Sequence, residues 1–174
     1  MSTEMGPVID DDSLKRIRRW QERAEDFGEV VLLREDLPAR GYFVGPTVVA
    51  GVDPDSELAQ TEIFGPVVAV MRAESFDQAI AIANNTDYAL TAGIISRSPG
   101  HIRRAANELR AGNIYINRTI TGAVVGRQPF GGHGMSGFGQ KAGGPDYLLQ
   151  FVEPRVVTEN TMRQGFAPMD VEGA

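Results

Sequence analysis

The densest chemical signal in this chain is glycine. Nine glycines fall within the 23 positions from Gly122 to Gly144, and among them Gly132-His133-Gly134-Met135-Ser136-Gly137 spells a literal G-x-G-x-x-G. In a dinucleotide-binding unit that pattern follows a strand and opens a helix, so that a pyrophosphate meets the helix N-terminus. Here Gln128-Pro129-Phe130-Gly131 precedes it and further glycines follow, a context that argues against a phosphate cradle. The other use of such glycines is to let backbone pass close to another surface or ligand with φ > 0. Glu62 is the second signal, a charge between Leu58-Ala59-Gln60 and Ile63-Phe64-Gly65-Pro66. It is either a solvated turn carboxylate or a hydroxyl acceptor at the carboxyl end of a sheet, where open α/β folds bind ligands.

Other chemistries are excluded or unsupported. With no Cys among 174 residues, the chain holds no disulfide, thiolate metal site or cysteine nucleophile. His101 and His133 are its two histidines, and neither has acidic or Cys neighbours at ligand spacing, so no metal site is expected. His101 reads as a solvated or capping residue at a helix start. The carboxylates Asp10-Asp11-Asp12 and the pair Asp53 and Asp55 read as caps or turns, and no Ser/His/Asp set suggests itself. A net charge of −6 and a pI near 4.9 oppose nucleic-acid binding. The chain shows no signal peptide and no run of apolar residues long enough to span a membrane, so no membrane partner is expected and a cytoplasmic location is.

The elements that must position these residues follow from periodicity. Leu14, Ile17, Trp20, Ala24 and Phe27 recur at helical spacing, with Asp12 or Ser13 as N-cap and Gly28 as the stop. Val30 to Leu33 and Thr47 to Ala50 read as strands. Pro66 to Met71 reads as a buried strand, and Ser75-Phe76-Asp77-Gln78 as a capping box that opens a helix ending at Asn84-Asn85. Ala92 to Ser96 is the next strand. Ser98-Pro99 then starts a helix with the stripe Ile102, Ala105, Ala106 and Leu109, which Gly112 ends. Asn113 to Asn117 is a further strand. This alternation predicts an α/β fold with a mainly parallel sheet and flanking helices. Beyond it, Gly122 to Gly144 reads as an ordered loop and Pro145 to Phe151 as one or two helical turns. Val152 to Thr158 alternates like an edge strand, and Glu159 to Ala174 reads as a mobile tail.

Several motifs in order carry a resemblance. Met5-Gly-Pro-Val-Ile-Asp10, Gly41-Tyr-Phe-Val-Gly-Pro-Thr47, Glu62-Ile-Phe-Gly-Pro-Val67 and Pro129-Phe-Gly-Gly132 with Ser136-Gly137 resemble the C-terminal part of the NAD(P)-dependent aldehyde dehydrogenase superfamily. Asn117-Arg118, Thr121-Gly-Ala-Val-Val-Gly-Arg-Gln-Pro-Phe-Gly-Gly132 and Lys141-Ala-Gly-Gly-Pro-Asp-Tyr-Leu148 resemble its 1-pyrroline-5-carboxylate dehydrogenase branch. The resemblance divides the chain into part of a catalytic domain over residues 1–151, an oligomerisation strand over 152–158 and a tail over 159–174.

The resemblance implies oxidation of glutamate semialdehyde to glutamate in proline degradation, with NAD or NADP as the parent's cofactor and none held by this chain alone. In the family a cysteine thiolate attacks the aldehyde, hydride passes to the nicotinamide, and water activated by a glutamate releases the acid. Glu62 matches the carboxylate that accepts hydrogen bonds from the nicotinamide-ribose hydroxyls, and Phe64 the aromatic beside that ring. Gly122 and Ala123 fall where backbone N–H groups anchor the substrate carboxylate, an anion-binding nest, and Phe130 matches an aromatic lining the aldehyde pocket. The nucleophilic Cys and general-base Glu have no counterpart here, so no catalytic residue is assigned and the chain alone is expected to be inactive. A homo-oligomer is expected through the last strand. Two alternatives stay open: a non-catalytic assembly or metabolite-binding module, and a bifunctional parent that also carries a proline dehydrogenase domain.

Overall fold

The computed structural model describes residues 5–160. Helix α1 (Asp11–Glu22) is capped by Asp10, whose carboxylate accepts from the Ser13 N–H at 2.7 Å. The expected caps, Asp12 and Ser13, lie inside the first turn instead. Three consecutive aspartates offer the same capping chemistry, and the foremost takes the role, which leaves Asp11 and Asp12 to favour the positive helix end. The helix gives way to a 3-10 turn at Ala24–Asp26 before Gly28. Strands β1 (Glu29–Leu33), β2 (Thr47–Ala50) and β3 (Val67–Val70) form one sheet in that order, with α2 (Glu57–Gln60) in the crossover between β2 and β3.

The second half repeats strand and helix. Helix α3 (Phe76–Asn84) is followed by β4 (Tyr88–Ala89), β5 (Thr91–Ile94), α4 (Pro99–Glu108), β6 (Asn113–Ile116) and β7 (His133–Gly134). Ser75 and Ser98 cap α3 and α4 as their sequences predict, with Pro99 in the first turn of α4. At α3 the Gln78 side chain turns back to accept from the Glu74 N–H at 2.6 Å rather than from the cap residue itself. Phe76 is stacked on His101, with ring centroids 4.1 Å apart, so the imidazole that reads as a capping or solvated group also joins the two helices. Arg104 adds an ion pair to Asp77 at 2.7 Å across the same junction.

The mainly parallel sheet requires correction. β2 with β3 and β5 with β6 are parallel, whereas β1 with β2 and β4 with β7 are antiparallel, and they form three small sheets. The connections explain this. A parallel pair needs a crossover of a dozen or more residues, usually helical; α2 and α4 lie in those crossovers, while β1 reaches β2 through a loop without a helix. Residues 152–158 are exposed and make no strand pairing within the described chain, so the edge strand expected there has no partner strand among the described residues. A 3-10 helix at Tyr147–Phe151 supplies the expected helical turns. Of the expected tail, residues 161–174 lie outside the described residues.

The main core joins Ile17, Trp20 and Ala24 to Val44, Val49, Val52, Leu58 and Ile63. α1 thereby packs over the first sheet and over the turn that carries Glu62.

Candidate functional site

Glu62 and Phe64 stand on the turn between α2 and β3, and that turn is pinned from beneath. Ile63 between them is buried in the core, Arg16 Nε donates to its carbonyl at 3.3 Å, and the Thr47 N–H donates to the Pro66 carbonyl at 2.9 Å. Gly65 faces Ile17 so closely that a Cβ there would lie 2.5 Å from the Ile17 Cδ1. With its alternate residue anchored inward, the turn presents Glu62 and Phe64 outward, and Phe64 is 77% exposed.

Phe64 has φ 58°, the left-handed conformation that disfavours a Cβ. A large aromatic held there, projecting into solvent, is strain kept without compensating burial, the kind of outlier that clusters at ligand sites. Glu62 and Phe64 line one open cavity of about 290 Å³ with Thr61, Gly65, Val67 and Ala69. On its other side Glu62 borders a second space of about 300 Å³, rich in hydroxyls from Thr61, Thr86, Tyr88, Thr91 and Ser136. No ion pair or hydrogen bond engages its carboxylate among the described residues. A free carboxylate beside an exposed aromatic suits a ligand with hydroxyls next to a flat ring.

The glycine-rich region is ordered by side chains rather than by a helix. Asn113 donates to the Pro129 carbonyl at 2.9 Å and accepts from the Gly131 N–H at 3.2 Å, while Lys141 Nζ donates to the Gly131 carbonyl at 2.6 Å. Phe130 and Ala142 exchange two backbone bonds of 2.9 Å. These contacts fix the half-buried Phe130 from both sides. The G-x-G-x-x-G contributes His133 and Gly134 to β7, which pairs with β4 (Tyr88 with Gly134), and no helix opens behind it, so the expected close backbone approach is what the glycines serve. At buried Gly132 a Cβ would come within 2.6 Å of the Ser136 Cβ and 3.1 Å of the Ala89 carbonyl oxygen.

Gly122 and Ala123 lie on an exposed loop after β6. Gly122 has φ 81°, and neither residue's N–H donates within the described chain. Two adjacent free amides at a left-handed glycine are what an anion-binding nest requires. The structure brings Glu62 and Phe64 to one cavity; that cavity does not include Gly122, Ala123 or Phe130. The sequence assigns no role to Arg118 or Gln128, although both stand in the motifs that carry the resemblance. Both side chains reach the Gly122 loop.

The aldehyde dehydrogenase family model matches residues 1–157. The chain belongs to the aldehyde dehydrogenase family. It is 48% identical over 158 residues to the 1-pyrroline-5-carboxylate dehydrogenase of Geobacillus kaustophilus, covering 91% of this chain and 31% of that protein. To the Bacillus subtilis enzyme of the same name it is 45% identical, over 90% of this chain and 30% of that one. Among solved structures, proline utilization A from Bdellovibrio bacteriovorus superposes with a TM-score of 0.86 at 54% identity, over 94% of this chain and 17% of that one. The 1-pyrroline-5-carboxylate dehydrogenase from Thermus, solved with bound NAD, gives a TM-score of 0.81 at 44% identity, over 85% and 29%. This aldehyde dehydrogenase chain thus spans about a third of the length of the curated relatives it matches. The sequence resemblance to the superfamily is borne out.

Proposed function

We propose that this chain carries one wall of the active site of a 1-pyrroline-5-carboxylate dehydrogenase, which oxidises L-glutamate γ-semialdehyde to glutamate with NAD(P) in proline degradation. The observation that carries this reading is the loop at Gly122 and Ala123, where two exposed amides stand without partners. A substrate carboxylate supplies the acceptor that such a pair lacks. Named relatives at 45% to 48% identity support the substrate class.

On this reading each residue has a separable task. Gly122 and Ala123 hold the carboxylate end, and Phe130 packs against the aliphatic stem. Glu62 accepts from the ribose hydroxyls of the cofactor and Phe64 limits where its nicotinamide ring rests; the free carboxylate and exposed ring fit that group. The cofactor, when bound, supplies the hydride acceptor. The chain has no Cys, so the thiolate of this family's reaction belongs to other residues. Residues 152–158, with Val156 at 88% and Val157 at 81% exposure, support a homo-oligomer in which a second copy covers them.

A graft tests the reading: residues 1–157 replace the matching stretch of the Geobacillus kaustophilus enzyme. Expected is NAD-dependent oxidation of glutamate semialdehyde by the graft and none by the 174-residue chain alone. A folded graft that binds NAD and oxidises other aldehydes, but not this one, would overturn the assignment.

A further inference from the structure

We propose that Arg118, with Gln128, is the positioning residue that sets the Gly122–Ala123 amides for a carboxylate; the inference rests on the reading of that loop as a substrate anchor. β6 is followed directly by Asn117, whose φ of 53° turns the chain sharply and whose Oδ1 accepts from the Ser96 N–H at 2.8 Å. The turn lays the Arg118 guanidinium over the ring of buried Tyr115, 5.1 Å from its centroid, a cation–π contact that fixes the plane of the fork.

From that seat the guanidinium uses each of its nitrogens. Nε donates to the Thr119 carbonyl at 3.3 Å and Nη2 to the Thr121 carbonyl at 3.2 Å. In the amide orientation that satisfies both neighbours, Gln128 Oε1 accepts from Arg118 Nη1 at 2.7 Å and Gln128 Nε2 donates to the Gly122 carbonyl at 3.2 Å. The backbone around the anchor is therefore gripped on its carbonyl side, and the Gly122 and Ala123 N–H groups, like those of neighbouring loop residues, donate to nothing among the described residues. Arg118 Nη2 also lies 3.9 Å from where a Gly122 Cβ would stand, so the guanidinium charge adjoins the anchor. Without the clasp, an exposed glycine-bearing loop would have to be ordered by the substrate itself, at a conformational entropy cost. Lysine cannot replace the fork, because three donations in one plane are a property of guanidinium.

Two measurements test this. In the full 174-residue chain, nitrogen-15 relaxation at Gly122 and Ala123 is expected to give order parameters near about 0.85, falling below about 0.6 in Arg118→Met and in Gln128→Leu, with α1 and β2 unchanged. Either variant suffices if the other does not fold, and unchanged loop order in the folded variants overturns the proposal. In the graft, Arg118→Lys is expected to raise KM for glutamate semialdehyde roughly ten- to a hundredfold at little change in kcat, the scale of a lost charged hydrogen bond. Oxidation of propanal, which has no carboxylate, should not change. A lysine variant that keeps the wild-type KM overturns the role of the fork. A wild-type graft inactive on glutamate semialdehyde sinks the functional reading instead, and the relaxation measurement still decides the clasp.

Discussion

Gly65 lies directly over Ile17: a Cβ at residue 65 would stand 2.5 Å from the Ile17 Cδ1 and 2.7 Å from its Cγ1. Ile17 is fully buried, so it has little room to yield. The pair couples the core of α1 to the turn that presents Glu62 and Phe64. Gly65→Ala is expected to destabilise the chain by about 1–3 kcal/mol through overpacking. Ile17→Ala alone should cost about 2–5 kcal/mol. In the double variant the space left by one change receives the other, so chemical denaturation should give less than the sum. Additive losses would show that the contact is not what constrains the turn.

Asn113 holds the opposite side of the site. Its amide satisfies both the Pro129 carbonyl and the Gly131 N–H, so Asn113→Ala leaves two backbone groups unpaired at a half-buried place. A loss of about 1–3 kcal/mol is expected, together with faster hydrogen exchange at Phe130 and Gly131. Normal protection at Phe130 would mean that its exchange with Ala142 and the Lys141 bond suffice.

What the sequence revealed depended on range. The caps Ser75 and Ser98 were legible because a hydroxyl and an N–H three residues on decide them locally. Asp10 was not, because three adjacent aspartates make the choice a matter of how α1 meets the core. β4 and β7 are two residues each and exist only because Tyr88 and Gly134 meet across the chain, which no local period records. For Glu62 the sequence left two uses open, and exposure beside Phe64 is a property of the folded turn. The Arg118–Gln128 clasp spans ten positions of loop, so residue type alone does not disclose it.

Phe64 exchanges backbone comfort for placement. A non-glycine residue at φ 58° costs roughly 1–2 kcal/mol, and at 77% exposure the ring recovers little by burial. Phe64→Gly removes that strain but gives the unfolded chain about 0.5–1 kcal/mol of extra entropy to lose. Thermal melts should show a change between neutral and about 1 kcal/mol more stable, while the graft carrying it binds NAD more weakly. A clear destabilisation would mean that the ring packs usefully in the chain itself.

Glu62 should behave as a residue kept for a ligand. Its carboxylate is exposed and engages nothing in the described chain, so Glu62→Ala should leave stability within about 0.5 kcal/mol. In the graft, KM for NAD should rise roughly ten- to a hundredfold, as expected for a charged hydrogen bond lost. An unchanged KM would remove Glu62 from the cofactor site and leave it a turn carboxylate.

Acid should weaken the cap at the start of α1. The backbone N–H of Ser13, with a smaller contribution from its hydroxyl, holds the Asp10 carboxyl below its usual 3.8. A carboxyl lowered in the folded chain contributes stability that is complete above the unfolded value and is lost as pH falls through the folded one. Asp10→Asn retains an oxygen that can cap the helix but cannot titrate. The wild type is therefore expected to lose stability relative to Asp10→Asn as pH drops below 3.8, with little change in their difference from there up to neutrality. Urea melts of both proteins at about pH 7 and about pH 3 measure that difference. A gap independent of pH would show that the cap works without its charge.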